Sequence, residues 1–196
     1  MPPKIRYSKA DLLHAAFKLT REKGIDAVNA RAVGKELGCS TQPIFRAFKS
    51  MEDVKGQILR MAMDLYGIYI TRSGTVGARP YLYTGMAYLA FARDEPELFK
   101  LLFMSRRDPE TAAGDLQDET IDFVIDLVMR RTGLNREQAK RFHEHIWIYT
   151  HGLAAMIATR YVTISEEKME RLLMDEYLAM RKLYGLPPPE DEAENE

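Results

Sequence analysis

The chain has 196 residues and a mass of 22.5 kDa, with 46% hydrophobic and 29% charged residues and a formal net charge of −1. That is enough chain to bury a substantial core, and the composition excludes wholesale disorder. One cysteine excludes an intrachain disulfide framework and suits a reducing, cytoplasmic setting. No apolar run of about 18 residues occurs, so no membrane-spanning helix is expected. Residues 1–7 carry charge without an apolar stretch behind them and do not read as a secretory signal. The charge is unevenly spread: residues 1–57 hold eleven Lys and Arg against six Asp and Glu, about +5, which leaves about −6 for the rest. A basic head on an acidic body suits a protein that meets phosphate at one end only.

The periodicity is helical throughout, with no period-two alternation and no Asn-Gly or Asp-Gly hairpin turn. A first helix is expected over 8–23, capped by Ser8 with Asp11, burying Leu12, Leu13, Ala16, Phe17 and Thr20, and ending at a left-handed Gly24. Asn29 caps a second over 30–37; Gly38 breaks the chain; Ser40 or Thr41 caps a third over 41–47. Ser50, with Asp53 three residues on, starts a long fourth in which Val54, Ile58, Met61, Leu65, Ile68 and Tyr69 keep helical spacing. A loop with Gly74, Gly77 and Pro80 is expected over 71–80, then a helix over 81–92, then a restart with Pro96 in its first turn. After a loop at 109–114, a helix over 116–132 closes at Gly133. Asn135 caps a long helix over 136–160, and Ser165 caps the last, which reaches about residue 184 before Gly185 and three prolines stop it. The acidic residues 190–196 are expected to be disordered.

Three short helices followed by a long one form a helix-turn-helix pattern. Val33, Leu37, Cys39 and Ile44 can share one small core, closed by Phe17, Phe45 and Phe48. Gly38 supplies the positive φ of the turn, and Gly34 allows close approach. Thr41, Gln42 and Arg46 are left on the outer face of the third helix, where Gln and Arg can contact adenine and guanine edges in a major groove.

Leu12, Leu13, His14, Ala15, Ala16, Phe17, Lys18 and Leu19, with Gly24, Val33, Gly38, Ser40, Phe45, Phe48, Ser50 and Glu52 at fixed spacing, resemble the DNA-binding domain of the TetR/AcrR family of transcriptional regulators over residues 1–55. The stretch 147–153, with Trp147, His151 and Gly152, is similar to the Trp-His-Gly signature of one C-terminal subgroup of that family. The resemblance implies phosphate contacts from Tyr, from His or Tyr, and from Lys at positions taken here by Phe45, Ala47 and Met51, so these polar handles are absent. Phosphate contacts are expected instead from backbone N–H groups at helix starts and from Lys4, Arg6, Arg31, Arg46, Lys49 and Lys55. Ser40, Thr41, Gln42 and Pro43 are expected at or near the bases.

The chain has eleven Met, ten Tyr and eight Phe, most of them after residue 57. That excess suits an adaptable cavity for a mostly apolar small-molecule effector. Its expected lining is Met61, Tyr66, Tyr69, Met86, Phe91, Phe103, Phe123, Trp147 and His151, although for any one residue taken alone core packing is the better account. The helix over 136–160 has two apolar stripes. One holds Phe142, Ile146, Tyr149, Leu153 and Met156; the other holds Trp147, His151, Ala154 and Ala158. One stripe faces the chain's own core and the other a second copy. The expected dimer face is the first stripe with Leu173, Tyr177 and Met180 of the last helix.

His143 and His145 are two apart and so point apart on a helix, and no Cys/His cluster accompanies them; no metal site is expected. No nucleophile–base motif, P-loop or glycine-rich dinucleotide loop occurs, so no catalytic residue, cofactor or enzyme activity is expected. The reading is an all-α protein: a helix-turn-helix DNA-binding domain over 1–56, a helical ligand-binding and dimerisation domain over 57–185 and an acidic tail over 186–196. Its expected role is a cytoplasmic, homodimeric, ligand-responsive repressor of a palindromic operator. The alternatives are a helical small-molecule-binding or interaction protein that has lost DNA binding, for which Phe45, Ala47 and Met51 speak, and a small helical enzyme dependent on His151.

Overall fold

The computed structural model describes residues 7–75, 77, 79–105 and 118–189. Lys4, Arg6, the expected loop at 109–114, Leu116 and the acidic residues 190–196 lie outside them. The described elements are all helical: α1 (Lys9–Lys23), a 3₁₀ turn (Ile25–Ala27), α2 (Ala30–Leu37), α3 (Gln42–Ala47), α4 (Met51–Ser73), α5 (Pro80–Asp94), α6 (Pro96–Phe99) continuing as a π-helical turn (Lys100–Met104), α7 (Asp118–Thr132), α8 (Arg136–Ala158) and α9 (Glu166–Leu183). No described helix is long and apolar enough to cross a membrane.

Local chemistry sets the helix starts. The Ser8 hydroxyl accepts from the Asp11 N–H at 3.1 Å, while the Asp11 carboxylate accepts from the Ser8 N–H at 2.8 Å. Asn135 and Gln138 make the same reciprocal box on α8, at 2.9 and 3.1 Å. Asn29 accepts from the Ala32 N–H, and Ser165 from the Lys168 N–H. α3 differs from expectation: neither Ser40 nor Thr41 caps it through a side chain, and Pro43 in its first turn removes one orphan donor instead. Gly24 has φ 81° and ψ 165°, outside the left-handed helical well expected of it.

The chain divides into two compact units, Met1–Leu65 with Glu95–Ser105, and Tyr66–Asp94 with Arg106–Glu196. The first extends beyond the expected boundary at residue 56 because α4 is buried along its first half, at Val54, Ile58 and Ala62. It also gains a segment distant in sequence. α6 packs on α1, and Arg21 makes a bidentate pair with the buried Glu95 carboxylate, its Nε donating at 2.7 Å to Oε2 and its Nη2 to Oε1. In the second unit α5 packs against α7, α8 and α9. Gly85 brings α5 close to α9, where an added Cβ would meet Leu173 at 3.1 Å.

Five of the eight residues expected at a dimer face are core residues of this second unit. Phe142 is 0% exposed, and Ile146, Leu153, Leu173 and Met180 are also buried. A side chain covered by its own chain has no surface left for a partner. Tyr177 is half-buried, and Tyr149 and Met156 are exposed. The apolar residues that α8 leaves in solvent are Trp147, Ile148, Tyr149 and Met156, with Ile148 59% exposed.

Candidate functional site

The first unit is built around Leu12, Ala16, Leu19, Val33, Ile44, Phe48, Val54 and Ile58, with Leu37, Ala47 and Met51 packed against them. At the end of α2 the Gly38 N–H donates to the Lys35 carbonyl at 3.2 Å and the Cys39 N–H to the Gly34 carbonyl at 2.8 Å, with Gly38 at φ 65°. Gly34 is tied to the same turn, since a Cβ there would come within 2.8 Å of the Cys39 carbonyl oxygen. The Tyr7 hydroxyl donates to the Leu37 carbonyl at 2.7 Å and closes the end of α2. Lys18 of α1 bonds Glu36 of α2 at 2.6 Å; that bond and its charge raise the Lys18 pKa and lower that of Glu36. Just before α4, Ser50 accepts from the Asp53 N–H at 3.2 Å. The Asp53 pKa is lowered, chiefly by the Gln57 amide and then by the Lys49 N–H.

This frame leaves one face of α3 in solvent. Ile44 and Phe48, four residues apart, fill the inner face. Gln42, Phe45 and Arg46, with Phe45 and Arg46 three and four residues after Gln42, are exposed, and so is Lys49 just beyond the helix. Phe45 was expected in the core and is 58% exposed, because it follows Ile44 directly and so is turned about 100° from the buried face. The helical spacing of three that it shares with Gln42 is the signal that could have placed it. Ala47 and Met51 are half-buried against the core, so apolar side chains at these two positions contribute packing. Of the other residues expected at DNA, Arg31 and Ser40 are exposed, and Thr41 and Pro43 are half-buried. Lys55 is half-buried and 3.7 Å from Glu52.

In the second unit five of the nine expected ligand residues come together. Tyr66 and Tyr69 meet Phe91 edge-on at centroid distances of 5.5 and 5.3 Å, and Trp147 stacks on His151 at 5.2 Å. Tyr88, which the sequence reading did not assign, joins the two groups: its ring lies 6.0 Å from Tyr66 and its hydroxyl 2.9 Å from His151 Nδ1. A parallel pair lies further along the same helices, with the Tyr81 hydroxyl 3.0 Å from His143 Nδ1. Burial pushes the His143 pKa down to about 4, so it is neutral near pH 7. Burial also lowers His151 and raises the phenols of Tyr66, Tyr81 and Tyr88. Phe123 lies against Gly74, and Met86 is half-buried on α5. Met61 and Phe103 belong to the first unit, where Phe103 packs on Phe99 at 5.1 Å. Among the described residues no group of three His, Cys, Asp or Glu side chains converges to hold a metal ion.

A cavity of the second unit lies elsewhere. It is about 250 Å³ in volume and lined by Arg79, by residues of α5, α7 and α9 and by the chain after α9, none of them among the nine expected.

The family model described as "Bacterial regulatory proteins, tetR family" matches residues 12–55, and that described as "Tetracyclin repressor-like, C-terminal domain" matches residues 82–179. No curated protein matches the sequence. Among solved structures, the fold is similar to a protein from Mesorhizobium loti, described as a TetR-family transcriptional regulator, at 15% identity and a TM-score of 0.60, over 89% of this chain and 95% of that one. It is similar also to one from Shewanella sp. PV-4, described as a tetR family transcription regulator, at 16% identity and a TM-score of 0.59, over 91% of this chain and 98% of that one.

Proposed function

The chain belongs to the TetR family and is a DNA-binding transcriptional regulator, and from that premise we propose that it acts as a homodimer, reads a palindromic operator with α3 and releases it on binding a small effector. The observation that carries this reading is the outer face of α3, where Gln42, Phe45 and Arg46 stand in solvent over an apolar core, with Lys49 exposed just beyond the helix. Gln42 and Arg46 supply bidentate donors and acceptors for adenine and guanine edges, and Phe45 an apolar contact for a thymine methyl. Arg31 and Lys49 meet phosphates, helped by the open N–H groups at the starts of α2 and α4. Phe45 thus exchanges a polar phosphate contact for an apolar one.

Dimerisation takes place over the exposed apolar residues of α8, Ile148, Tyr149 and Met156, around Gly152, beside which a Cβ would find open space. A two-fold axis pairs two recognition helices with two half-sites. α4 is one helix from Met51 to Ser73, and the two units meet along its length in the sequence between Leu65 and Tyr66. It is the element that carries the effector's influence, provided the effector favours one spacing of the recognition helices over the other.

Selection from a library of random duplexes tests the reading. The recovered sites contain an inverted repeat with half-site centres about 34–36 Å apart, or a multiple of that, and bind two chains per duplex. In a cell reporter carrying that site, the chain lowers transcription. Recovery of a single unrepeated site bound by one chain contradicts the homodimeric reading.

A further inference from the structure

The residues that lead into α1 are tied to the chain on either side of the recognition helix. The Tyr7 hydroxyl donates to the Leu37 carbonyl at 2.7 Å, at the end of α2 and just before the turn into α3. Tyr7 also packs against the core of the first unit. Two residues later the exposed Lys9 holds its Nζ 5.1 Å from the centroid of the Phe48 ring, and Phe48 is the residue that ends α3. Residues 7–9 therefore run beside α3, with Tyr7 bonded ahead of its start and Lys9 against its end.

That placement fixes the point from which the preceding residues depart. Pro2, Pro3, Lys4, Ile5 and Arg6 carry two cations and no acid, so phosphate attracts them. A cation held for phosphate alone could stand anywhere on the DNA-facing surface. A stretch of chain rooted beside the recognition helix has a narrower target. With α3 in the major groove, the adjacent minor groove lies half a helical turn away, about 17 Å. Five residues of chain span up to about 17 Å, so residues 2–6 cover that distance. The minor groove is about 6 Å wide, too narrow for a helix and wide enough for a single stretch of chain. Over A·T pairs it presents only acceptors, and where it narrows its negative potential deepens and attracts Lys and Arg. A G·C pair adds the guanine N2 amino group, a donor that meets these cations badly.

We propose that residues 2–6 enter the minor groove beside the sequence that α3 reads, that Lys4 and Arg6 meet the acceptor edges of A·T pairs there, and that Tyr7 is the positioning residue that aims them. The chain then reads two grooves, α3 the major and this segment the minor. The inference rests on the reading that α3 enters the major groove, and the two fail in different ways. If α3 does not read bases, Gln42→Ala with Arg46→Ala leaves affinity for the selected duplex intact. If the present inference fails, the selected sequence stands and its flanks are equivalent.

Fluorescence anisotropy of the full chain tests it, on duplexes that keep the selected sequence and differ only in short flanks of A·T, G·C, inosine·C or 2,6-diaminopurine·T pairs. Inosine·C has the minor groove of an A·T pair and the major-groove edge of G·C; diaminopurine·T is the reverse. The A·T and inosine·C flanks bind about 5-fold or more tightly than the G·C and diaminopurine·T flanks. Lys4→Ala combined with Arg6→Ala binds all four alike and still prefers the selected sequence to a scrambled one. Tyr7→Ala narrows the preference among flanks, while its affinity for the G·C-flanked duplex stays within about twofold of wild type. The inference is overturned by equal affinity of wild type for the four flanks, which leaves Lys4 and Arg6 as phosphate contacts only, or by inosine·C behaving as G·C. It is overturned also by a flank preference that survives in the Lys4, Arg6 variant, which assigns it to DNA shape, or that is unchanged in Tyr7→Ala.

Discussion

Around α3 the cations Arg46 and Lys49 stand in solvent above a core built from Leu12, Val33, Ile44, Phe48 and Ile58. In the second unit Tyr81, Tyr88 and Arg181 are buried and His143 is half-buried, and each has a hydrogen-bond partner there. The difference follows from what each surface meets. A polyanion brings its own charge to an exposed cation, so the first unit needs no internal polar network. A small ligand must be met by groups already held in position, and holding them requires buried, satisfied polar chemistry.

The largest effect that separates the two regions is a pH response of the second. The folded pKa of His143, about 4, lies below its ordinary value of 6.5. As pH falls from 6.5 the unfolded chain takes up the proton and the folded chain does not. Stability is therefore full above pH 6.5 and declines progressively toward pH 4, by up to about 3 kcal/mol. His143→Gln keeps a polar partner for the Tyr81 hydroxyl and flattens that slope. Denaturant melts at pH 7, 6 and 5 measure it, and equal slopes in the two proteins would break the comparison.

Arg21→Ala probes the exception in the first unit, the Glu95 carboxylate. Removing the half-exposed Arg21 strands that buried charge and costs about 2–3 kcal/mol, below the figure for a fully buried pair. Arg21→Ala combined with Glu95→Gln recovers part of the loss. Urea midpoints of the single and double variants read the coupling, and simple additivity would mean that the pair does not hold the 95–105 segment.

Two helix glycines sharpen the contrast further. Gly34→Ala drives a Cβ toward the Cys39 carbonyl oxygen, costs about 2 kcal/mol and lowers DNA affinity, read by melting and by anisotropy. Gly152→Ala meets open space in the single chain. It raises helix stability by at most about 1 kcal/mol, while sedimentation shows a weakened dimer.

Helix starts were legible because caps are local: Ser8 with Asp11, Asn29, Asn135 and Ser165 each satisfy an N–H within four residues. The turn at Gly38 was legible for the same reason. Periodicity showed the apolar stripes of α8 but not what covers each one, so Phe142 and Ile146 were placed at a partner and proved to be core. Phe45 was misplaced because hydrophobicity alone does not say which side of a six-residue helix is inner. The Arg21–Glu95 pair and the Tyr81–His143 pair join residues 74 and 62 positions apart, which no local pattern announces. Arg79, Arg130, Arg131 and Arg181, which line the cavity of the second unit, are likewise brought together only by packing.

The claim on which the account turns is that the outer face of α3 reads bases. The direct measurement is a fluorescence anisotropy titration of wild type and of the Gln42→Ala, Arg46→Ala double variant against the selected duplex and a scrambled one, each at two salt concentrations. The double variant should lose about 100-fold or more on the selected duplex, with a far smaller loss on the scrambled one. Equal affinity of the variant and wild type for the selected duplex would contradict the account.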